Sequence, residues 1–437
     1  MNRRTSTTPP WLTRRVLGWA LYDVASSTYI ALVPTFFGLY FVSQVARAAP
    51  GAAGTWGAVA AVSLVIAGML APMVGAYTDR TARWLGALAI ATAGCVAATL
   101  LLSQTARTGV LAAACIFIVA QVGYTLATSL YDSFVVDVAG PACRGRVSSV
   151  GWALGLVGGM AAIGLALFLM SGVPAESQVQ RLGALFVLAG VMYALVAVPG
   201  LAGLRGLRRP PAAGAHTGAA VAGSLRAVYS TLRSWRLHRT AFQLLLSFFL
   251  INDVLVTLQF FIAIVLNVRF GLSVEGLLWL ALLFHAIAVP STVLCGHLAD
   301  EWGARPAMAA MCAALAGAIL LLAFGQAQWS PIAAVMLLGL VFGAIQAVFR
   351  ALYASLVSAD KVAELFGFNS IAGRLSAAVG PLIFGVAATA FGSNTWGLCL
   401  LLIPLAAGVA LLLAIRLPAH ESAAALGPIP AMTKRIR

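Results

Sequence analysis

The sequence predicts an all-α polytopic membrane protein of twelve transmembrane helices in two six-helix bundles. Three observations predict it. Hydrophobic residues make up 62% of the 437 positions and charged residues only 9%, a balance that would leave a water-soluble chain exposing too much apolar surface. Apolar runs of about 20 residues recur along the chain, each long enough to span the ~30 Å hydrocarbon layer as a helix. One long polar break, 205–238, has six such runs before it and six after. Mean hydropathy is +0.98.

The runs are expected at 16–44, 56–78, 85–104, 109–138, 147–171, 182–204, 241–267, 275–299, 305–325, 331–357, 366–391 and 394–416. Proline and glycine mark turns between several of them, as in AAPGAAGTWG and GQAQWSP. The start, MNRRTSTTPPWLTRR, leads into a run too long for a signal-peptide core and without a small-residue cleavage site, so the first span is expected to stay in the membrane. The domains expected are an N-terminal bundle over 1–204, a cytoplasmic linker over 205–240, a C-terminal bundle over 241–416 and a cytoplasmic tail over 417–437.

Charge sets the orientation. With the N-terminus inside, 21 of the 27 Lys and Arg fall on inner segments, seven of them in the central linker. Outer loops carry Arg47, Arg107, Arg181 and Arg269, while Arg350 and Arg374 fall within spans. That asymmetry places both termini in the cytoplasm. It also accounts for the net charge of +15 as topology and attraction to a lipid surface, leaving little support for a nucleic-acid partner. Tryptophans are expected as interfacial belts: Trp56, Trp279, Trp329 and Trp396 at outer span ends, Trp11, Trp84, Trp235 and Trp302 at inner ones. Six scattered cysteines (Cys95, Cys115, Cys143, Cys295, Cys312, Cys399) form no ligand cluster. They read as small buried apolar residues, with no metal or cofactor expected.

The two halves repeat. LYDV (21–24) matches INDV (251–254), GAYTDRTAR (75–83) matches GHLADEWGAR (296–305), and RVSSVGWALG (146–155) matches ELFGFNSIAG (364–373), in the same order and at similar offsets. This duplication resembles the six-plus-six architecture of major facilitator transporters. The motif at Gly75, Asp79, Arg80 and Arg83, with its copy at Gly296, Asp300 and Arg305, resembles the family's loop between spans 2 and 3. That resemblance implies a conformational latch: the glycine permits close helix approach, and the aspartate pairs with arginine and a neighbouring helix start. The motif at 75–83 differs from the usual form at Thr81 and Ala82.

A narrower resemblance covers the whole chain. WALYDVASSTY (19–29), the stretch LYDSFVVDVAGPACRGRVSSVGWALGLVGG (130–159), FLINDVLVT (249–257) and the segment 346–385 are similar to signatures of the vacuole-effluxer branch, the autophagy-linked vacuolar amino-acid exporters and their bacterial relatives. Val24, Ser26, Asp132, Val136 and Val254 depart from those signatures. The resemblance implies efflux of a small polar or amino-acid-like solute. Arg outnumbers Lys and Ala is abundant, which fits a GC-rich bacterial genome and an inner-membrane location.

Charges within the spans are the candidate machinery. Asp23 is about 10 Å into span 1 and Asp253 about 18 Å along span 7, at matching positions of the repeat. An ionisable group at that depth must face a cavity or a partner. In the major facilitator fold spans 1, 4, 7 and 10 line the cavity, and these carry Asp23, Asp132, Asp253 and Arg350. Asp253 is the expected proton carrier, because a carboxyl group removed from water favours its neutral form. Asp23 and Arg350 are expected as a structural or substrate-binding pair. Satisfied internal ion pairs are the alternative for all four. Tyr22, Asn252, Thr257 and Gln346 join the expected substrate and proton pathway, with Ser26, Ser27, Tyr29, Tyr131, Gln259, Tyr353 and Asn369 as further polar groups nearby. His285 in span 8 reads as a hydrogen bond between helix elements or a titrating group. Gly151, Gly155 and Gly159 in span 5, and Gly380-Pro381 with Gly385 in span 11, read as close helix contacts, either packing or sliding.

The expected function is therefore secondary active transport, proton-coupled, by a monomer that binds a small molecule and sits among lipids. A translocase for lipids, hydrophobic metabolites or drugs is the alternative on the same fold, and a non-transporting sensor a third reading. No P-loop, nucleophile elbow or metal-ligand cluster argues for an enzyme.

Overall fold

The computed structural model describes residues 13–47, 49, 51–138, 144–207, 239–356 and 377–415. Twelve helices follow the expected spans. The first half holds α1 (Arg14–Tyr40), α2 (Ala52–Thr81), α3 (Trp84–Leu102), α4 (Val110–Ser133), α5 (Arg144–Met170) and α6 (Leu182–Gly203). The second holds α7 (Arg239–Phe270), α8 (Val274–Trp302), α9 (Ala304–Phe324), α10 (Ser330–Leu356), α11 (Val379–Ala390) and α12 (Asn394–Ala414). Eleven of these regions are long and apolar enough to cross a membrane, and α11 is a shorter apolar helix. The first part of the span expected over 366–391 lies outside the described residues, as do most of the expected linker and all of the expected tail.

Local chemistry sets the helix ends. The Thr13 hydroxyl accepts the Val16 N–H at the start of α1, and Ser273 and Ser393 cap α8 and α12 in the same way. Glycine takes the left-handed conformation before α2 (Gly51, φ 82°) and after α7 (Gly271, φ 65°). Pro34, Pro72, Pro199, Pro290 and Pro404 lie inside helices. Neighbouring helices and local adjustments make this tolerable in a membrane. The outward faces carry large apolar side chains such as Ile90, Leu111 and Phe168.

Within the first half α1 is the central element, packed on α5 and α6. Its contact with α6 is backbone to backbone. A Cβ at Gly18 would lie 2.7 Å from Gly203 Cα, and one at Gly200 would lie 3.0 Å from Tyr22 N. Close approach of this kind replaces the hydrophobic drive that lipid cannot supply. In the second half α8 and α9 pack on α10, and α7 packs on α12, where Ser247 donates to Gly408 O at 2.7 Å. The halves meet through α1 with α7, α2 with α11, and α5 with α8.

Of the tryptophans expected in interfacial belts, Trp279, Trp302, Trp329 and Trp396 are more than half exposed, whereas Trp84 is 9% exposed and Trp56 is fully buried. Trp11 and Trp235 lie outside the described residues. Cys95, Cys295 and Cys312 are buried as expected, whereas Cys115 is exposed on the outer surface of α4, and Cys143 lies outside the described residues.

A side chain at Gly18 has only backbone to displace. Gly18→Leu should lower the melting temperature of detergent-purified protein by several degrees, the effect of overpacking by about 1–3 kcal/mol. Gly164→Ala, with no atom within 4 Å of its added methyl, should leave it unchanged.

Candidate functional site: a cavity between the halves

A cavity of about 550 Å³ lies between the two halves, within the size range of small-molecule sites. From the first half it takes Asp23, Ser26, Ser27 and Thr35 of α1, Tyr124, Thr128, Tyr131 and Asp132 of α4, and Gly155 and Gly159 of α5. The second half contributes mostly leucine, isoleucine and phenylalanine from α7, α8 and α10, with Gln259, His285 and Gln346 as its polar members.

The glycine stripe of α5 explains how Asp23 fits. Gly151 lies under the Trp19 ring, Gly155 beside the Asp23 carboxylate and Ser27, and Gly158 against the Val24 carbonyl. A Cβ at Gly155 would lie 2.8 Å from Asp23 Oδ2. The stripe therefore brings α5 onto α1 while leaving room for a half-buried carboxylate that opens on the cavity. In this state the stripe packs against α1. Gly158, which the four-residue spacing does not include, is part of the contact.

An aromatic support stands behind the site. Tyr131 stacks on Trp19 with centroids 4.7 Å apart and on Tyr22 at 5.1 Å. Trp19 Nε1 donates to Tyr131 O at 3.2 Å. The Tyr22 hydroxyl hydrogen-bonds with Thr92 at 2.6 Å and with Tyr193 at 3.1 Å. Tyr124 stacks on Tyr29 at 4.7 Å, and the Tyr29 hydroxyl donates to Gln121. Tyr22 is thus fully buried support and not a wall of the cavity. Tyr124 and Thr128, missed from the sequence, sit with Tyr131 at spacings of four and seven. That polar stripe along one face of α4 was a legible signal.

Asp253 lies away from the cavity wall on which its position in the repeat would place it. It is 5% exposed and does not line the cavity. Its Oδ1 accepts the Gly380 N–H at 2.9 Å, one residue into α11. Thr257 donates to the Asp253 backbone carbonyl at 2.7 Å and Gly380 packs against both side chains, so Gly380 cannot carry a larger residue here. A carboxylate at a helix N-terminus satisfies an otherwise unpaired N–H and the helix dipole together. Asn252 and Thr257 also stand apart from the cavity wall, whereas Gln346 and Asp132 belong to it. Tyr353 is buried beside Phe349. The side chain of Arg350 and the whole of Asn369 lie outside the described residues.

The face opposite the chain termini is sealed. Thr35 donates to Gln259 O at 3.1 Å, Trp56 Nε1 to Phe260 O at 3.0 Å, and Gly54 N to Thr389 Oγ1 at 2.9 Å. Glu275 N donates to Gln178 Oε1 at 3.0 Å. Gly57 and Gly385 let α2 and α11 touch backbone to backbone, with Gly57 directly on the Pro381 carbonyl. Trp56 fills the space among Phe37, Phe41, Phe117 and Phe260. These four hydrogen bonds between the halves all lie toward this face.

The latch motif occupies the opposite end. Gly75 and Gly296 would each accept a methyl group with no atom within 4 Å, so in this state neither supports close helix approach. α2 runs through the motif to Thr81 and stops at Ala82, held at φ 53°. Arg83 is exposed. Arg305 donates through Nη2 to the Leu413 carbonyl, within its own half. The side chains of Asp79, Arg80 and Asp300 lie outside the described residues.

Gly155 and Gly158 separate site from scaffold. In Gly158→Ala the new methyl meets the Val24 carbonyl 2.6 Å away, so thermal stability should fall. In Gly155→Ala it meets the movable end of Asp23, so stability should hold while solute affinity falls about tenfold or more, measured by thermal shift with ligand.

The vacuole effluxer Atg22-like family model matches residues 137–424. An uncharacterized major facilitator-type transporter of Bacillus subtilis (strain 168), YxiO, is 25% identical over 420 residues, covering 92% of this chain and 94% of its own. Among solved structures, the nucleoside transporter NupG (D323A mutant) superposes with TM-score 0.69 at 16% identity, over 92% of this chain and 99% of its own. A bacterial homologue of the human lysosomal transporter Spinster, inward-facing and unoccupied, superposes at 0.63 and 18%, over 93% and 95%. The inward-open xylose transporter XylE of E. coli gives 0.62 and 14%, over 93% and 98%. With the fold shared and over half the chain matched, the protein belongs to the vacuole effluxer Atg22-like family and is a membrane transporter of the major facilitator type.

Proposed function

We propose that this chain is a secondary active transporter in a bacterial inner membrane. In this reading the bundles 1–204 and 241–416 rock about the shared cavity, joined by the linker 205–240, with both termini and the tail 417–437 cytoplasmic. The carrying observation is one cavity walled by both halves below a seal on the face away from the termini. The basic residues crowding the segments on the terminal face support that orientation. The solute is small, polar or amino-acid-like, and moves outward. The chain works as a monomer, and the latch residues Gly75, Asp79, Arg80, Arg83, Gly296, Asp300 and Arg305 engage when the terminal face closes.

Asp253 is the coupling group in this proposal, acting through α11 and not from the cavity wall. Its carboxylate holds the N-terminus of α11, and the same helix forms the seal with α2. Protonation removes the negative charge from the helix start and so weakens the hold. Falling pH therefore favours opening of the sealed face, and rising pH favours the sealed state.

Two measurements test this. A Cβ at Gly54 would lie 3.5 Å from Thr389 Cβ, within the about 3.5–4.5 Å of disulfides. The pair Gly54→Cys and Thr389→Cys should cross-link under oxidation. In proteoliposomes carrying a pH-sensitive dye, cross-linking should abolish proton flux evoked by amino acids or organic amines, and reductant should restore it. Flux persisting through the cross-linked protein would refute alternating access at this seal. Second, Asp253→Asn keeps an oxygen for Gly380 but cannot ionise. It should fold normally, and its cross-linking rate, corrected for the thiolate fraction, should no longer depend on pH. An unchanged pH dependence would remove Asp253 from the coupling role.

A further inference from the structure

Resting on the transporter reading, we infer that the cavity recognises an organic ammonium ion carrying an apolar body, and that the ammonium is the recognised group. The two walls differ in kind. Among the described residues, none donates a hydrogen bond to the carboxylate oxygens of Asp23 on the first-half wall, although it is half-buried at lipid depth. A carboxylate in that position needs a donor or a cation. Tyr124 and Tyr131 line the same wall and are held by stacking on rings behind them. Tyrosine faces attract cations, and more strongly when water is excluded.

The second-half wall presents the ligand's other requirement. Leu258, Ile262, Phe284 and Phe342 offer an apolar surface facing the acidic one. Its imidazole, His285, adds a further acceptor. His285 Nδ1 lies 2.8 Å from the Ala281 carbonyl, which can only accept, so the hydrogen is assigned to Nδ1. The neutral ring then leaves Nε2 as an acceptor. The Asp23 Oδ2 atom is 2.8 Å from a Cβ position at Gly155, and His285 Nε2 is 3.7 Å from that at Gly159. Since residues four apart on a helix have Cβ atoms about 5–6 Å apart, the two acceptors lie within roughly 12 Å of each other. One small molecule reaches both. A single positive end with N–H donors and a carbon skeleton beyond it satisfies Asp23, the tyrosines and the opposite wall at once.

The test uses purified full-length protein and four probes: 2-phenylethylamine, 2-phenylethanol, 3-phenylpropionate and phenylalanine, compared by thermal shift. The amine should bind at least about tenfold tighter than the alcohol, and tighter than the acid or the amino acid. Asp23→Asn should erase the preference for amine over alcohol while the alcohol still binds. Phe342→Ser should weaken amine and alcohol together and keep their ratio. Equal binding of amine and alcohol by the unaltered protein, tighter binding of phenylalanine or the acid, or a preference surviving in Asp23→Asn would each overturn the inference. The probe comparison on the unaltered protein decides it even where Asp23→Asn fails to fold. Preferred binding of the amine without its movement in proteoliposomes would instead count against transport and leave the recognition standing.

Discussion

A carboxylate cannot face lipid. At membrane depth it must open on water or be met by hydrogen-bond donors, since the alternative costs several kcal/mol. The rest of this structure depends on how that constraint is met at two positions that the duplication makes equivalent. Asp23 is housed beside a stripe of glycines and opens on the cavity. Asp253 is withdrawn from the cavity and accepts the N–H of Gly380. Two matching positions of the repeat thus serve as a wall of the cavity in one half and a helix cap in the other.

The two solutions reach opposite ends of the molecule. The Asp23 side draws α5 onto α1, beside a cavity that Tyr124 and the buried Tyr131 help to line. The Asp253 side fixes the start of α11, whose later residues meet α2 at the seal through Pro381, Gly385 and Thr389. The pairs α2 with α11 and α5 with α8 are counterparts under the duplication. The α2–α11 pair relies on Gly57 and Gly385, because helices within lipid associate through close packing and not through expulsion of water. Trp56 extends the seal by filling the gap between halves with one large ring and one donated hydrogen bond.

Much of the fold was legible because it follows from local physics. Helix after helix begins and ends within a few residues of the apolar run that encodes it, as with α6 and α9. The duplication was readable from short motifs in matching order, and Asp23, Asp132 and Gln346, expected to share one space, all line the cavity. The misreadings came from burial. Tyr22 and Thr257 are polar residues on cavity-lining helices, yet they turn to Thr92, Tyr193 and the backbone of Asp253. Helix periodicity tells which residues share a face, but not which neighbour that face meets.

The sequence by itself determined the class of molecule, its spans, its duplication and the presence of ionisable groups at lipid depth, because each is written in composition and spacing along the chain. Only the tertiary structure decided which carboxylate opens on the cavity, that Trp56 leaves the interfacial belt for the seal, and that Gly158 belongs to the helix contact. The physical reason is the same in each case. Burial and hydrogen bonding are pairwise properties of atoms brought together from distant parts of the chain, and no local pattern contains the partner.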